Sequence, residues 1–300
     1  MSINSKIVIG TAQFGLNYGI TNQNGQPSNY AINKIFSFCK INNSKKFDTA
    51  NAYDSSEKKL GSEYKSINQV KIYTKLPVNI DKNISLEELE VIIYNSLKNL
   101  NKNKIECISF HRMDHLLSNK EKFLNLIDRF KKNKTIKKFG VSIQNEKEFY
   151  QFIDIPELDY IQLPFNIIDK RWDSILSEYK SFLRNKTVHI RSIFLQGLLL
   201  TENKKFWNKT KYKKYDKILK WLNNLSSNYN CKKIDLCLKY VMSNLDWIDG
   251  LIFGINHLNE LIEIKNKLNN LEPFSKRELI DIQKSRPKIS YKLLNPSYWA

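Results

Sequence analysis

Cysteine, the residue that forms disulfide and zinc scaffolds, is scarce, since the chain of 300 residues has only four. They form no C-x-x-C pair and have no histidines at metal-ligand spacing, so neither a disulfide framework nor a zinc site is expected. Cys107 lies in an apolar run, which indicates a small core residue rather than a nucleophile. The four positions are Cys39, Cys107, Cys231 and Cys237.

Long hydrophobic runs are also missing. No stretch approaches the roughly 18 uncharged apolar residues of a membrane helix. The first residues lead directly into a short apolar segment, without the longer hydrophobic region and small-residue cleavage site of a signal peptide. Because hydrophobic residues still make up 41% and aromatic residues 12% of the chain, a substantial core is expected. The sequence therefore predicts a folded cytoplasmic protein that does not enter a membrane.

Negative charge is scarce, with 30 acidic against 49 basic residues and a net charge of +19. Such a balance can indicate binding to nucleic acid, anionic membranes or acidic ligands. The lysines are spread along the chain rather than gathered in one tail, and no motif interleaves basic residues with stacking aromatics. We interpret the charge as a solvated lysine-rich surface and expect no nucleic-acid partner. A polyanion-binding protein is the weakest alternative.

What the chain does contain is an alternation, repeated about eight times, of short apolar segments with longer amphipathic ones. Strands separated by helices predict parallel pairing, because each crossover needs a dozen or more residues. Barrels of this kind reach about 250 residues as one domain, so we expect residues 1–300 to form a single (β/α)8 TIM barrel. The predicted strands are 7–10, 46–49, 70–75, 105–111, 139–142, 160–163, 187–192 and 250–253, and the predicted helices are 31–39, 56–66, 85–99, 120–132, 146–152, 173–182, 215–227 with 233–243, and 258–270.

An open, doubly wound sheet is the competing fold. It would be expected to carry a glycine-rich turn after the first strand, but residues 10–15 read G-T-A-Q-F-G and do not supply G-x-G-x-x-G. Two segments lie outside the alternation. Residues 17–28 form a polar, turn-rich loop, and residues 273–300 form a tail with a short helical stretch that we place near the barrel mouth.

In such a barrel the reactive groups lie at the carboxyl ends of the strands and in the loops that follow. The second strand and its loop supply Asp48 and Tyr53, the third strand ends in Lys75, and the fourth ends in His111. A neighbouring ammonium lowers the pKa of a phenol, and a carboxylate orients that ammonium. An imidazole can hold a carbonyl oxygen, so the set suits carbonyl reduction by hydride transfer.

Each of these residues also has an ordinary structural explanation. Asp48 could cap the following segment, and Tyr53 could be a loop aromatic. Lys75 is one of many lysines, and His111 could be a satisfied buried histidine. Their occurrence on consecutive strands favours a catalytic site.

Motifs along the chain support the same interpretation. They are G-T-A at 10–12, F-D-T-A at 47–50 with Tyr53, S-E-K-K-L-G at 56–61, T-K at 74–75, His111, G-V-S at 140–142, Q-L-P-F-N at 162–166, L-Q-G-L-L at 195–199, and Gly254 with E-L at 260–261. In this order the sequence resembles the aldo/keto reductase family. The resemblance implies a catalytic tetrad of Asp48, Tyr53, Lys75 and His111, and a nicotinamide cofactor extended across the barrel mouth.

The resemblance also implies which residues hold the cofactor. Ser142 and Gln162 would hold the nicotinamide carboxamide, and Arg191 stands where the family has an aromatic residue or an arginine under the nicotinamide. Glu260 stands where a basic residue would bind an adenosine 2′-phosphate, which favours NAD over NADP weakly, although His257 or Lys265 could compensate. The full set of predicted cofactor contacts is Gly10, Thr11, Asp48, Ser142, Gln162, Arg191, Ser192, Gly197, Gly254, Ile255, Asn256 and Glu260.

The substrate is expected to be a small carbonyl compound. Polar rim residues, of which Tyr18, Asp54 and Arg112 are the candidates, fit a sugar or sugar derivative better than a steroid or a fatty aldehyde. The sequence leaves one alternative of another class, a nucleotide-binding barrel that serves as a regulatory or structural subunit without turnover. The complete tetrad favours the enzyme.

Overall fold

The computed structural model describes residues 3–63 and 69–299 of the chain. Its strands form a closed barrel in which each strand pairs with the next and the last pairs with the first. This confirms the predicted (β/α)8 barrel. The strands are β1 (Ile7–Gly10), β2 (Lys46–Asp48), β3 (Lys71–Lys75), β4 (Ile105–Phe110), β5 (Ile136–Ser142), β6 (Tyr160–Pro164), β7 (Thr187–Arg191) and β8 (Gly250–Gly254).

All eight strand pairs are parallel, and Gly10 at the end of β1 lies opposite Gly254 at the end of β8. The carboxyl ends of all the strands therefore meet at one rim. The strands are apolar over most of their length because the barrel interior covers one face and the helices cover the other.

Helices follow the strands as the alternation predicts. The third predicted helix shows the agreement in detail, since Ser85 accepts the backbone N–H of Glu88 in a capping box before the apolar face begins. The helices are α1 (Ala12–Gly15), α2 (Asn29–Ile41), α3 (Ser56–Glu63), α4 (Leu86–Asn99), α5 (Met113–Ser118), α6 (Lys120–Lys132), α7 (Glu146–Ile153), α8 (Trp172–Arg184), α9 (Lys204–Lys209), α10 (Tyr215–Asn228), α11 (Lys233–Met242), α12 (Leu258–Asn270), α13 (Lys276–Ser285) and α14 (Tyr291–Leu294).

The differences from the predicted helices are local. The short helices α1, α5 and α9 lie in segments that the periodicity leaves as loops, because four to six residues are too few to show a helical period. The predicted helix 56–66 is present as α3, and the end of that prediction, at 64–66, lies outside the described residues.

The tail packs on the rim side of the barrel. Arg286 donates to the carboxylate of Asp173 near the start of α8, and the indole of Trp299 donates to the backbone carbonyl of Leu293. Over the described ranges, no helix combines the length and the apolar character that a membrane span requires.

Beneath the rim the barrel is packed rather than open. The ring of His189 lies 4.3 Å from the ring of Tyr73 and 5.0 Å from that of Tyr160, measured between ring centres. All three side chains are buried. Side chains that could meet a substrate are therefore those at the rim.

Candidate active site

The four predicted catalytic residues come from three neighbouring strands. Asp48 ends β2 and Lys75 ends β3, while His111 directly follows β4. Tyr53 lies in the turn after β2, where its backbone N–H donates to the carbonyl of Ala50 at 3.0 Å. That turn folds back over the strand ends, which brings Tyr53 to the same rim as the other three.

Asp48 and Lys75 form a buried ion pair. The Lys75 ammonium donates to both oxygens of Asp48 at 2.8 Å and to the backbone carbonyl of Thr49 at 2.9 Å. An ammonium has three N–H donors, so these contacts use all of them. Burial lowers the pKa of Lys75, and the neighbouring Asp48 opposes that shift.

Tyr53 lies beside this pair, but not in the way that the sequence predicts. The Lys75 nitrogen is 5.3 Å from the centre of the Tyr53 ring, and no described hydrogen bond joins the two side chains. Burial raises the pKa of Tyr53 well above its ordinary value, Asp48 raises it further, and Arg191 opposes both. The net shift is therefore opposite to the lowering that the sequence predicts, because burial outweighs the effect of the nearby cations.

His111 completes the group. Its ring lies 6.0 Å from that of Tyr53 in an edge-to-face arrangement of 82°. Burial, followed by the positive charges of Lys75 and Arg191, lowers the pKa of His111 to about 3. Its Nδ1 atom has no hydrogen-bond partner within residues 3–63 and 69–299. The side chain is therefore a neutral imidazole at neutral pH, suited to hydrogen bonding rather than to donating a full proton.

A cavity of about 720 Å³ extends from Tyr53 and Asp48 to Glu263 on α12. Most of the predicted cofactor contacts line it, namely Gly10, Asp48, Gln162, Arg191, Ser192, Gly197, Gly254, Asn256 and Glu260.

Other predicted contacts do not lie on the cavity wall. Thr11, Ser142 and Ile255 are buried behind it, and the Thr11 hydroxyl instead donates to the backbone carbonyl of Asp48 at 3.0 Å. Among the substrate candidates, Tyr18 lines the cavity, whereas Asp54 and Arg112 are exposed outside its wall.

Gln162 contacts the Asp48–Lys75 ion pair. Its amide nitrogen donates to Asp48 at 2.7 Å and to the Tyr160 hydroxyl at 3.0 Å. The ion pair is thereby held from a third strand. The amide nitrogen is engaged within the protein, so the amide oxygen is the atom of Gln162 that remains for a cofactor carboxamide.

Glu260 folds back on the start of its own helix. Its carboxylate accepts the backbone N–H of Asn256 at 2.7 Å and that of His257 at 3.4 Å. The backbone N–H of Asn256, one of the predicted cofactor contacts, is therefore engaged by a carboxylate in this structure. A negative charge stands at the helix end where anions usually bind.

Gln13 and Gln196 are among the cavity-wall residues that the sequence-based set does not include. Gln13 is buried with an amide oxygen that has no partner among the described residues, and a Cβ atom at Gly254 would lie 2.2 Å from its amide nitrogen. Gln196 accepts the backbone N–H of Ile20 at 2.9 Å, which ties the loop after β7 to the loop 17–28. Gln13 follows the end of β1 by three residues, a position that could have indicated it.

Comparison with known proteins gives one family and one fold. The profile described as the Aldo/keto reductase family matches residues 6–286. No curated protein matches the chain. An aldo-keto reductase from Bacillus halodurans, solved in its holo form, is 16% identical with a TM-score of 0.72, over 93% of this chain and 91% of that one. A protein from Pseudomonas aeruginosa described as an aldo-keto reductase is 15% identical with a TM-score of 0.64, over 88% and 89% of the two chains.

Proposed function

The chain belongs to the aldo/keto reductase family, and from this premise we propose that it transfers hydride between NAD(P)H and a carbonyl compound, with Tyr53 as the proton donor. Family membership supports a carbonyl oxidoreductase. The observation that carries the finer proposal is the convergence of Tyr53, His111 and the Asp48–Lys75 pair at one rim, beside a cavity of about 720 Å³.

The cavity wall fits an extended dinucleotide. Gly10 and Gly254 are paired at the ends of β1 and β8, and both line the cavity without side chains. A Cβ atom at Gly197 would lie 2.2 Å from the Thr21 hydroxyl, at a left-handed φ of 82°, so the wall needs glycine there. Gln162, Arg191 and Ser192 would hold the nicotinamide end, which supplies the hydride when bound.

Tyr53 is suited to act as an acid that releases its proton late. Because burial and Asp48 raise its pKa, the phenol stays protonated until the substrate oxygen acquires negative charge. The neutral His111 imidazole, 6.0 Å away between ring centres, would orient that oxygen by a hydrogen bond. After the transfer, the phenolate would face the cations Lys75 and Arg191, which stabilise it.

The weak preference for NAD follows from Glu260. Its carboxylate lines the cavity and accepts the backbone N–H of Asn256 just before α12, where it would repel a 2′-phosphate. We further propose a small polar carbonyl substrate, with a sugar or sugar derivative as the first candidate, because the polar side chain of Tyr18 lines the cavity. We place the reaction in the cytoplasm.

The test has two steps. Fluorescence of NADH and NADPH is titrated with the protein, and oxidation of the bound cofactor is then followed as a panel of aldehydes and ketones is added. We expect binding followed by oxidation in the wild type, and binding without oxidation in Tyr53→Phe. Binding without oxidation in the wild type, across the whole panel, would contradict the proposal and favour a non-catalytic nucleotide-binding barrel.

A further inference from the structure

Four lysines lie at the end of the barrel opposite the rim, where the strands begin. Lys46 is the first residue of β2 and stands opposite Lys71, the first residue of β3, in the parallel register. Residues opposite each other on neighbouring strands project to the same side of a sheet, so these two side chains are neighbours. Lys6 directly precedes β1, and Lys138 is the third residue of β5. We call these four residues the floor lysines.

The hydrogen bonds of the floor lysines go to uncharged acceptors. The Lys46 ammonium donates to the backbone carbonyl of Asp249 at 2.9 Å, and the Lys6 ammonium donates to two backbone carbonyls. Lys138 donates to the Thr187 hydroxyl at 2.5 Å. Such hydrogen bonds hold the side chains in place, but they leave the positive charges without a counter-charge.

Ion pairs compensate the floor lysines only weakly. Among the described residues, Glu106 alone comes within ion-pair distance of one of them, at 3.9 Å from Lys138, and it lies closer to Lys137, at 3.3 Å. In the same part of the chain, the other three floor lysines form no ion pair. A partly buried lysine elsewhere is treated differently, since Lys267 pairs with Asp235 at 2.5 Å. The floor of the barrel therefore keeps an excess of positive charge.

This environment changes the amine of Lys46. Burial, followed by the charge of Lys71, lowers the pKa of Lys46 to about 8. The other floor lysines act in the same direction, and the Asp249 carboxylate opposes the shift. At pH 7 about one Lys46 amine in ten is then neutral, against about three in ten thousand at the ordinary pKa of 10.5. The neutral amine is the nucleophilic form of lysine.

Lys46 stays accessible in this environment. Its side chain is half-buried rather than enclosed, and its hydrogen bond to Asp249 lies at the surface. A neutral amine keeps two N–H groups, so this hydrogen bond can orient the nitrogen without using its lone pair. The opposite residue, Lys71, is exposed. An anion that approaches Lys46 from solvent therefore meets a cation beside it.

We propose that Lys46 is a modification site at which small acyl phosphates acylate the protein. The phosphate group of such a compound would contact the cationic floor lysines, which brings the acyl carbon to the Lys46 nitrogen. The modification is independent of the proposed reductase activity, since Lys46 and Tyr53 lie at opposite ends of the barrel.

The chemical step is a simple acyl transfer. A bond forms from the Lys46 nitrogen to the acyl carbon, and the bond from that carbon to the phosphate oxygen breaks. Inorganic phosphate leaves with the electron pair, and the proton of the amine passes to water. The amide product is neutral, so the reaction also removes the repulsion between residue 46 and Lys71.

The experiment follows the reaction at each lysine separately. The wild-type protein is treated with acetyl phosphate at neutral pH, and peptide mass spectrometry measures the rate of acetylation at every site. Lys45, the preceding residue, is also half-buried and is the internal reference. We expect Lys46 to react about tenfold faster or more, because its larger neutral fraction outweighs the lower basicity of the amine. Unfolding in urea should abolish the difference, since the environment of Lys46 exists only in the folded barrel.

Two variants test the neighbouring charge. Lys71→Gln removes the opposite ammonium and leaves Lys46 in place, so acetylation of Lys46 should slow by about threefold or more. Lys98→Gln makes the same change at an exposed lysine near the end of α4 and should leave the rate at Lys46 as in the wild type. An unchanged rate in Lys71→Gln would overturn the proposal, because the floor charges would then have no part in the reaction.

A second reagent tests the recognition of phosphate. The acetyl ester of N-hydroxysuccinimide carries no phosphate, so the preference for Lys46 over Lys45 should be smaller with this ester than with acetyl phosphate. Inorganic phosphate should slow the reaction of acetyl phosphate at Lys46 and leave Lys45 unaffected. Acetylation by acetyl phosphate that is no faster at Lys46 than at Lys45 would overturn the proposal. A preference that is as large with the ester and insensitive to inorganic phosphate would overturn the assignment to acyl phosphates.

Discussion

The Lys75 ammonium holds the Asp48 carboxylate with two hydrogen bonds of 2.8 Å, in a position where the two residues are 1% and 4% exposed. Burying both charges costs desolvation free energy, and each charge is compensated by the other. The pair lies under Tyr53 and fixes the end of β2 to the end of β3. We therefore expect loss of either partner to lower stability as well as the proposed catalysis.

Lys75→Met tests both roles. It leaves Asp48 as a buried charge without its partner, so we expect the free energy of unfolding to fall by about 3–5 kcal/mol and carbonyl reduction to be lost. Denaturant unfolding and steady-state rates measure the two effects. The double variant Lys75→Met/Asp48→Asn is the control, since removing both charges should restore much of the stability without restoring the rate. Near-normal turnover in Lys75→Met would rule out a role for the ammonium.

Tyr53→Phe removes the proposed acid and little else. No described hydrogen bond of the hydroxyl is lost, so folding and cofactor binding should stay near wild type. Turnover should fall by a factor of about 10² or more, the usual scale of general acid catalysis. Stopped-flow measurement of NADH oxidation isolates the chemical step, and an unchanged rate in this variant would remove Tyr53 from the mechanism.

The lowered pKa of His111 predicts a pH dependence of stability. The folded state holds this imidazole neutral down to about pH 3, whereas its ordinary pKa is 6.5. Between these values the unfolded chain binds more protons, so stability is full above pH 6.5 and falls as the pH decreases toward 3, by at most about 1.4 kcal/mol per pH unit.

His111→Gln isolates this effect from other groups, including His189, whose pKa burial also lowers. We expect the difference in unfolding free energy between pH 7 and pH 5 to be smaller in the variant than in the wild type. The dependence of the wild-type rate on pH should show no transition near pH 6.5 that arises from His111. Equal pH dependence in the two proteins would mean that the pKa of His111 is the same in the folded and the unfolded chain.

The sequence predicts the barrel and its rim well for a physical reason. Strand and helix periods, together with local signals such as the capping box at Ser85, depend on neighbouring residues alone. The identity of the residues at the strand ends then follows, which is how Asp48 and Lys75 are found. The hydrogen bond between Gln162 and Asp48 does not follow from such local signals. It joins positions 114 residues apart and depends on the closed barrel.

The Glu260 side chain shows the same limit of prediction from sequence, over a shorter separation along the chain. Its position at the start of the last helix follows from the sequence, but the sequence does not say where its carboxylate points. In the structure it accepts the backbone N–H groups of Asn256 and His257. That conformation sets a negative charge on the cavity wall and removes an amide donor at the same time.

We expect the Glu260 carboxylate to decide the choice between the two cofactors. A 2′-phosphate near Glu260 would meet repulsion and would find the Asn256 amide engaged, so we expect the wild type to bind NADH at least as tightly as NADPH. Glu260→Arg should shift the ratio of dissociation constants toward NADPH by roughly tenfold or more, since one contact with a charged group contributes about 1.5–3 kcal/mol. Glu260→Gln keeps an acceptor for the backbone amides without the charge and should give a smaller shift in the same direction.

Glu263→Gln is the matched control, because Glu263 also lines the cavity one turn further along α12 but makes no described contact with the start of the helix. Titration of both cofactors by fluorescence decides the outcome: a clear preference of the wild type for NADPH would mean that His257 or Lys265 binds the phosphate and that the Glu260 carboxylate moves away when the cofactor enters.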